Sequence, residues 1–319
     1  MRGRYFTPLR RSNVERSIDR DRGRSDMNVA LTGATGFVGS HILAELLDHG
    51  HAVTALVRDD GQSDAVAARG ATPVVVDLYD RPAVVKAFGD ADGAVHTASP
   101  GDATSADLDS AAADAAIEAF DGTGKPYLHI SGGWIYGSNT AITEDSPLDA
   151  PALVSWREPI ERRVLGTSGM RGVVITSGVA YGDGGGGVPG VLLGSPRDPA
   201  GNLIMLGTGK QHWSTVHVAD LAGFFRRVLE SDSARGRYVI SNGLHPTVAE
   251  LTEAAAVATV APGAVPGSDE EARARLGDYF AEVLLLDQGD GVTRAETELG
   301  WLPTHPALDD EFRHGSYRR

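Results

Sequence analysis

The chain has 319 residues, no cysteine and a formal net charge of −14. That excludes disulfides, thiolate nucleophiles and zinc–thiolate sites, and the acidic balance argues against nucleic acid or an anionic membrane as partner. With 41% hydrophobic residues it can bury one large core or two intimate ones. No apolar run approaches the roughly 18 residues that cross a bilayer, so a cytoplasmic protein is expected.

Residues 1–26 stand apart, with eight arginines against Glu15, Asp19, Asp21 and Asp26. Transit peptides are poor in acids. The segment therefore reads as a solvated tail, or an upstream start ahead of Met27, and is left out of the fold.

From Met27 to Gly50 the chain reads as strand, glycine turn and helix. Asn28 to Thr32 is a short apolar run. Gly33, Gly36 and Gly39 follow, and then a helical period through Ile42, Leu43, Leu46 and Leu47. This is the context a dinucleotide fingerprint needs. Gly33 makes the tight turn, Gly36 lets backbone approach a pyrophosphate, and Gly39 allows close packing of helix on strand. The helix N-terminus offers free N–H groups to the phosphates.

His51 to Val57 is a second β-rich run, ending in Arg58, Asp59 and Asp60. An acid there suits the ribose hydroxyls of NAD, and an arginine suits the 2′-phosphate of NADP. Arg58 comes first, which favours NADP and leaves NAD possible. Thr72 to Val76 is a third strand, Pro82 to Phe88 a helix, and Asp92 to Thr97 a fourth strand. Leu108 to Phe120 is an alanine-rich helix, and Pro126 to Ser131 a fifth strand. Arg171 to Ser177 is another strand, followed by four glycines, Gly184 to Gly187, that suit a mobile lid. Alternating strands and helices at this spacing imply an α/β, Rossmann-type doubly wound parallel sheet.

The phrase TGATGFVG resembles the short-chain dehydrogenase/reductase superfamily, in its extended or atypical, epimerase/dehydratase-like branch. VVVDLYD, HTASP, ISGGWIYG, QHWSTVHVADL and the closing ELGWLP are similar to further family segments, so the resemblance spans roughly residues 28–317. It implies a Rossmann domain over 27–180 and a smaller substrate-binding lobe over 181–319, with segments returning to the core, and a homodimer as a family-level possibility. The implied cofactor set is Gly33, Thr35, Gly36, Phe37, Val38, Gly39, Arg58, Asp77, Leu78, Thr97, Ala98, Ser99 and Arg157.

The resemblance also implies hydride transfer by a Ser, a Tyr and a Lys four residues after the Tyr. Here Gly132 takes the Ser place, Leu153 the Tyr place and Arg157 the Lys place. Arg157 can hold a ribose but does not deprotonate, and Leu153 transfers no proton. Ser131, Tyr136 and Arg157 are the remaining catalytic candidates, with Tyr181, His212 and His217 behind them. His96 reads as structural. Trp134, Trp156 and Trp213 are expected to wall the substrate pocket. Trp213 stands where sugar-nucleotide members carry an arginine that clasps the diphosphate, so a nucleotide-sugar substrate is not expected. No metal site is expected.

The sequence thus reads as an atypical NAD(P)-dependent oxidoreductase acting on a small carbonyl or alcohol. Two alternatives stay open: an NADP(H)-binding sensor or scaffold without turnover, and a non-redox epimerase or isomerase on the same fold.

Overall fold

The computed structural model describes residues 26–318. The segment expected as a tail, Asp26 apart, lies outside the described residues. The first half alternates strand and helix: β1 Asn28–Thr32, α1 Phe37–Asp48, β2 Ala52–Val57, α2 Asp60–Ala67, β3 Thr72–Val75, α3 Arg81–Gly89, β4 Gly93–His96, α4 Ser105–Phe120 and β5 Pro126–Gly132. A short 3₁₀ turn, Gly133–Tyr136, and β6 Asn139–Ile142 lead to α5 Arg157–Gly166 and β7 Arg171–Ser177.

Beyond this come β8 Val179–Tyr181, α6 Gly187–Leu193, β9 Leu203–Ile204, β10 Thr215–His217, α7 Val218–Glu230 and β11 Gly236–Ile240. The remainder is α8 Val248–Ala258, β12 Ala264–Val265, α9 Asp269–Leu276, α10 Asp278–Leu284, β13 Gln288–Asp290, α11 Arg294–Leu299 and α12 Leu308–His314.

Seven strands form one sheet in the order β3-β2-β1-β4-β5-β7-β11, every neighbouring pair parallel. This is the doubly wound sheet expected from the sequence. Its order reverses between β1 and β4, and open α/β sheets bind ligands in the crevice at that switch point.

Strand alternation sorts the core into two layers. Val29, Leu31, Leu128, Val173 and Ile175 join α1 and α7 on one face. Ala30, Ala94, Tyr127 and Val174 face α3, α4 and α5 on the other. The segment from α7 to β11 therefore returns to the Rossmann core, and Ala295 of α11 is buried with it. A separate apolar cluster around Tyr181, Trp213, Leu251, Leu284 and Phe312 forms the second lobe. Among the described residues, no helix is long and apolar enough to cross a membrane.

Candidate functional site

The turn from β1 into α1 is built around close backbone contact. Gly33 has φ +76°, and an added Cβ would lie 2.6 Å from the Ala98 amide nitrogen. A Cβ on Gly39 would stand 2.0 Å from the Gly33 carbonyl oxygen. Neither position admits a side chain. Gly36 is the N-cap of α1, with no side-chain cap and no acid in the first turn. Its Cβ would meet only the Gly33 carbonyl, at 3.3 Å, and both Gly36 and Thr35 are exposed. An uncapped helix start with a bare glycine before it leaves free N–H groups facing outward, and these residues fit a dinucleotide pyrophosphate. Phe37, Val38 and Gly39 form that first turn.

Arg58 is exposed just beyond β2, where the adenosine ribose is expected from the sequence. The Asp59 carboxylate accepts the Gln62 N–H at 2.9 Å and caps α2, while the Gln62 side chain accepts the Arg58 N–H at 3.1 Å. Capping thus commits Asp59 to its own helix. Asp77 is exposed beyond β3 with one oxygen on the Tyr79 N–H, and Leu78 beside it is buried. Thr97 and Ala98 are held against β1: Thr97 Oγ1 donates to the Thr32 carbonyl at 2.8 Å, and Thr32 Oγ1 accepts both amides. Ser99 Oγ donates to Ser105 Oγ at 3.3 Å.

Below this floor lies a buried polar cluster. His96 and His129 are register partners on β4 and β5, and their rings stack at 5.3 Å. Both face α4, where Asp109 receives His96 Nε2 at 3.2 Å and His129 Nε2 at 3.5 Å. The opposite nitrogens meet hydroxyls: His96 Nδ1 meets Thr32 at 2.8 Å, and His129 Nδ1 meets Tyr127 at 3.2 Å. Each ring thus turns Nε2 to the carboxylate and Nδ1 to a hydroxyl. Burial lowers the His96 pKa against the opposing pull of Asp109. For Asp109 burial acts upward, but the hydrogen bonds from His129 and His96 outweigh it and hold the carboxyl well below its usual range. The charge facing Asp109 is Arg157, whose Nη1 lies 3.5 Å from Oδ2 and whose guanidinium covers the Trp156 ring at 4.5 Å. Trp156 is itself fixed by its indole N–H on the Leu153 carbonyl at 2.9 Å. Arg157 is the first residue of α5, and Leu153 lies in the turn before it.

Several expected roles need correction. Ser131 shares the strand face of His129 and donates its hydroxyl to Glu161 of α5, which is fully buried and paired with Arg237 at 2.6 Å. It is a packing residue turned away from the crevice. The Tyr136 phenol is 2% exposed among Ile135, Ile142, Val154 and Val239 and has no hydrogen-bond partner. Burial drives its pKa far upward, so it is a poor proton donor or acceptor at neutral pH. Tyr181 spends its hydroxyl on the Pro306 carbonyl at 2.7 Å. His217 caps α7 by accepting the Ala219 N–H at 3.2 Å and stacks on His305 at 4.4 Å. His212 pairs with Asp287 at 2.8 Å.

Trp213 does not wall a pocket. It is 3% exposed in the second-lobe core, its indole N–H on the Leu284 carbonyl at 3.0 Å. Trp134 does stand between the lobes, edge-on to Phe280 of α10 at 6.2 Å.

The glycine loop after β8 is pinned rather than free. Tyr317 accepts the Gly182 N–H at 2.8 Å and donates to the Gly185 carbonyl at 2.5 Å, while Ser316 accepts the Gly184 N–H at 2.8 Å. Gly185 lies so close to Phe37 that a Cβ would sit 2.5 Å from its ring. Asp183, at φ +50°, reaches His41 of α1 at 2.7 Å. His41 Nδ1 lies 2.8 Å from the Phe37 carbonyl. The ring thus bridges the loop carboxylate and the first turn of α1. The loop therefore forms a strap across the first turn of α1. Nothing local in the sequence pairs Tyr317 with Gly185. Asp109 carried a readable signal, as the acid on the buried stripe Asp109, Ala112, Ala113, Ala116.

Residues 33–136 match a protein-family model described as NAD(P)H-binding. An uncharacterised protein of Schizosaccharomyces pombe is 27% identical over 299 residues, covering 91% of this chain and all of that protein. A 3-diazoavenalumate denitrifying reductase of a Streptomyces species is 29% identical over 89% of this chain and 98% of its own. The crystal structure of human epimerase family protein SDR39U1 with NADPH superposes with a TM-score of 0.71 at 22% identity, covering 91% of this chain and 99% of that one. UDP-glucose 4-epimerase of Thermotoga maritima gives 0.72 at 18% identity, covering 91% and 97%. The protein is thus an NAD(P)H-binding protein of Rossmann type. Residues 33–136 are its NAD(P)H-binding domain, and the overall fold is one it shares with these epimerase-family structures.

Proposed function

We propose that the protein is an atypical NADP(H)-dependent reductase of small carbonyl compounds rather than of nucleotide sugars. The observation that carries the cofactor choice is the division of labour after β2. Asp59 is spent on capping α2, which leaves exposed Arg58 to meet a 2′-phosphate. Bound NADPH would supply a hydride. The chain's own contribution is binding and orientation: the α1 terminus for the pyrophosphate, Asp77 and Leu78 beside the adenine, Thr97, Ala98 and Ser99 beneath the nicotinamide ribose, and Arg157 as the donor to its hydroxyls. Trp134 and Trp156 offer apolar surface to a substrate. With Leu153 aliphatic and Ser131 and Tyr136 buried, the proton for the new alcohol comes from solvent. The reductase names among the relatives support the redox reading.

The test is absorbance at 340 nm with NADPH and a panel of aldehydes and ketones. Substrate-dependent oxidation that fails in Arg157→Ala supports the reading. Tight NADPH binding with no turnover across the panel favours a sensor, the reading that the buried Ser131 and Tyr136 support. Product formed without absorbance change would mark an isomerase.

A further inference from the structure

Gly132 closes β5 and Ser177 closes β7, and the two strands pair in parallel with these residues directly opposite. Leu128, Val173 and Ile175 face α1 and α7, so alternation puts Gly132 and Ser177 on that same face. On the reverse face the neighbouring hydroxyls are already spent. Ser131 donates to Glu161, and Thr176 accepts from Arg237 at 3.2 Å. Gly132 is extended, with φ −126° and ψ 148°, and a Cβ added there would meet nothing within 4 Å. Beside that opening stands the half-buried Ser177. Its carbonyl lies 3.6 Å from where a Cβ of Gly133 would be, and Gly133 begins the turn that carries Trp134. Among the described residues the Ser177 hydroxyl makes one hydrogen bond, to the Ser131 carbonyl at 3.5 Å. That is a weak bond, and a serine hydroxyl rotates to suit a better acceptor.

We propose that Ser177 is a catalytic residue, donating a hydrogen bond to the carbonyl oxygen of a substrate seated in the opening at Gly132. The proposal rests on the reductase reading and deepens it. Open α/β sheets bind ligands outside the carboxyl ends of their strands, which is where both residues lie. Gly132 stands in the serine place and has no hydroxyl, and Ser177 offers one from the next strand of the sheet. As hydride reaches the carbonyl carbon, the C=O π pair moves onto oxygen. A donor already aimed at that oxygen stabilises the charge as it develops. Ser177 keeps its own proton, and solvent supplies the one that completes the alcohol. The carbonyl is reduced and NADPH is oxidised to NADP⁺.

The test uses the full chain, with and without NADP⁺, and 4-(dimethylamino)cinnamaldehyde, a dye whose absorbance moves to longer wavelength when its carbonyl oxygen is polarised. Bound dye is expected to shift to the red, and Ser177→Ala to abolish the shift at saturating dye. Gly132→Ser added to Ser177→Ala returns a hydroxyl to the same opening and is expected to restore it. With NADPH and an aldehyde that turns over, Ser177→Ala should lower kcat roughly 10- to 150-fold and leave KM nearly unchanged. Its melting temperature should hold, because only one weak hydrogen bond is removed. A bound dye that does not shift in the wild-type chain overturns the proposal, and so does a shift that survives Ser177→Ala. Undiminished turnover in Ser177→Ala also overturns it and leaves the reductase reading intact. A red shift that needs Ser177, with no NADPH oxidation by any aldehyde, would sink the reductase reading and leave the carbonyl site in place.

Discussion

The guanidinium of Arg157 answers the carboxylate of Asp109, 3.5 Å away, across the gap between α5 and α4. Asp109 is 3% exposed, so its charge has little solvent to fall back on. Breaking a buried pair by removing one partner costs about 3–5 kcal/mol. Asp109→Asn is therefore expected to lower the melting temperature clearly, and Arg157→Met to lower it less, since the arginine is the more exposed partner. The double variant should fall short of the sum of the two. Strictly additive losses in that thermal cycle would mean that the pair does not interact.

Arg58→Ala should weaken NADPH and spare NADH. A hydrogen bond to a charged group is worth roughly 1.5–3 kcal/mol, or about 10- to 150-fold in affinity. Titration of tryptophan quenching with each cofactor reads this directly, and equal losses for both would remove Arg58 from the 2′-phosphate.

Two of the motif glycines, Gly39 and Gly36, should fail in different ways. Gly39→Ala drives a methyl to 2.0 Å from the Gly33 carbonyl and should destabilise the whole domain by more than the usual ~1–3 kcal/mol of overpacking. Gly36→Ala meets nothing closer than 3.3 Å and should keep the fold to within about 1 kcal/mol. Its methyl projects where a phosphate must approach, so NADPH affinity should drop while the melting temperature holds. A Gly36→Ala protein that binds NADPH normally would contradict the cradle.

Acid should unfold the protein earlier than its carboxylates alone would. His96 and His217 both have pKa values lowered by burial. The unfolded chain takes up protons at these sites before the folded one does. Stability is therefore complete above the ordinary histidine value of about 6.5 and declines as pH falls below it, by up to about 1.4 kcal/mol per pH unit for each ring. Asp109 adds a second loss only at much lower pH, below the usual carboxylate range. Denaturant melts from pH 8 to pH 5 check this, and a flat profile between pH 7 and pH 5 would refute it.

Tyr317→Phe removes both hydrogen bonds that the phenol makes to Gly182 and Gly185. The backbone of the strap should exchange its amide hydrogens faster, and NADPH should dissociate faster, while the sheet stays protected. Unchanged exchange at residues 182–186 would show that His41 and Asp183 hold the strap without it.

Much of the frame was legible because it rests on local rules. Thr32, Val57 and His96 end apolar runs of strand length, and the glycines at 33, 36 and 39 admit few uses other than a tight turn against a helix. Ser131 stands as a catalytic candidate in the sequence although it precedes Gly132 by one residue, and alternation along β5 turns its hydroxyl to Glu161. Trp213 misled because burial depends on what folds over a residue, and α10 closes on it from 71 positions away. The lid reading failed for the same reason. Four glycines in a row imply freedom until residues more than 130 positions later supply the hydrogen bonds.

That strap has a consequence for biosynthesis. Translation delivers α1 early and Tyr317 very late, so a nascent Rossmann unit has its phosphate cradle long before the clasp that crosses it exists. Contacts of such long range form late in folding. Dinucleotide meeting the growing chain encounters an open groove, and the same groove is crossed only once the last helix has docked. Bulk added at Ser316 or Tyr317 would crowd this clasp.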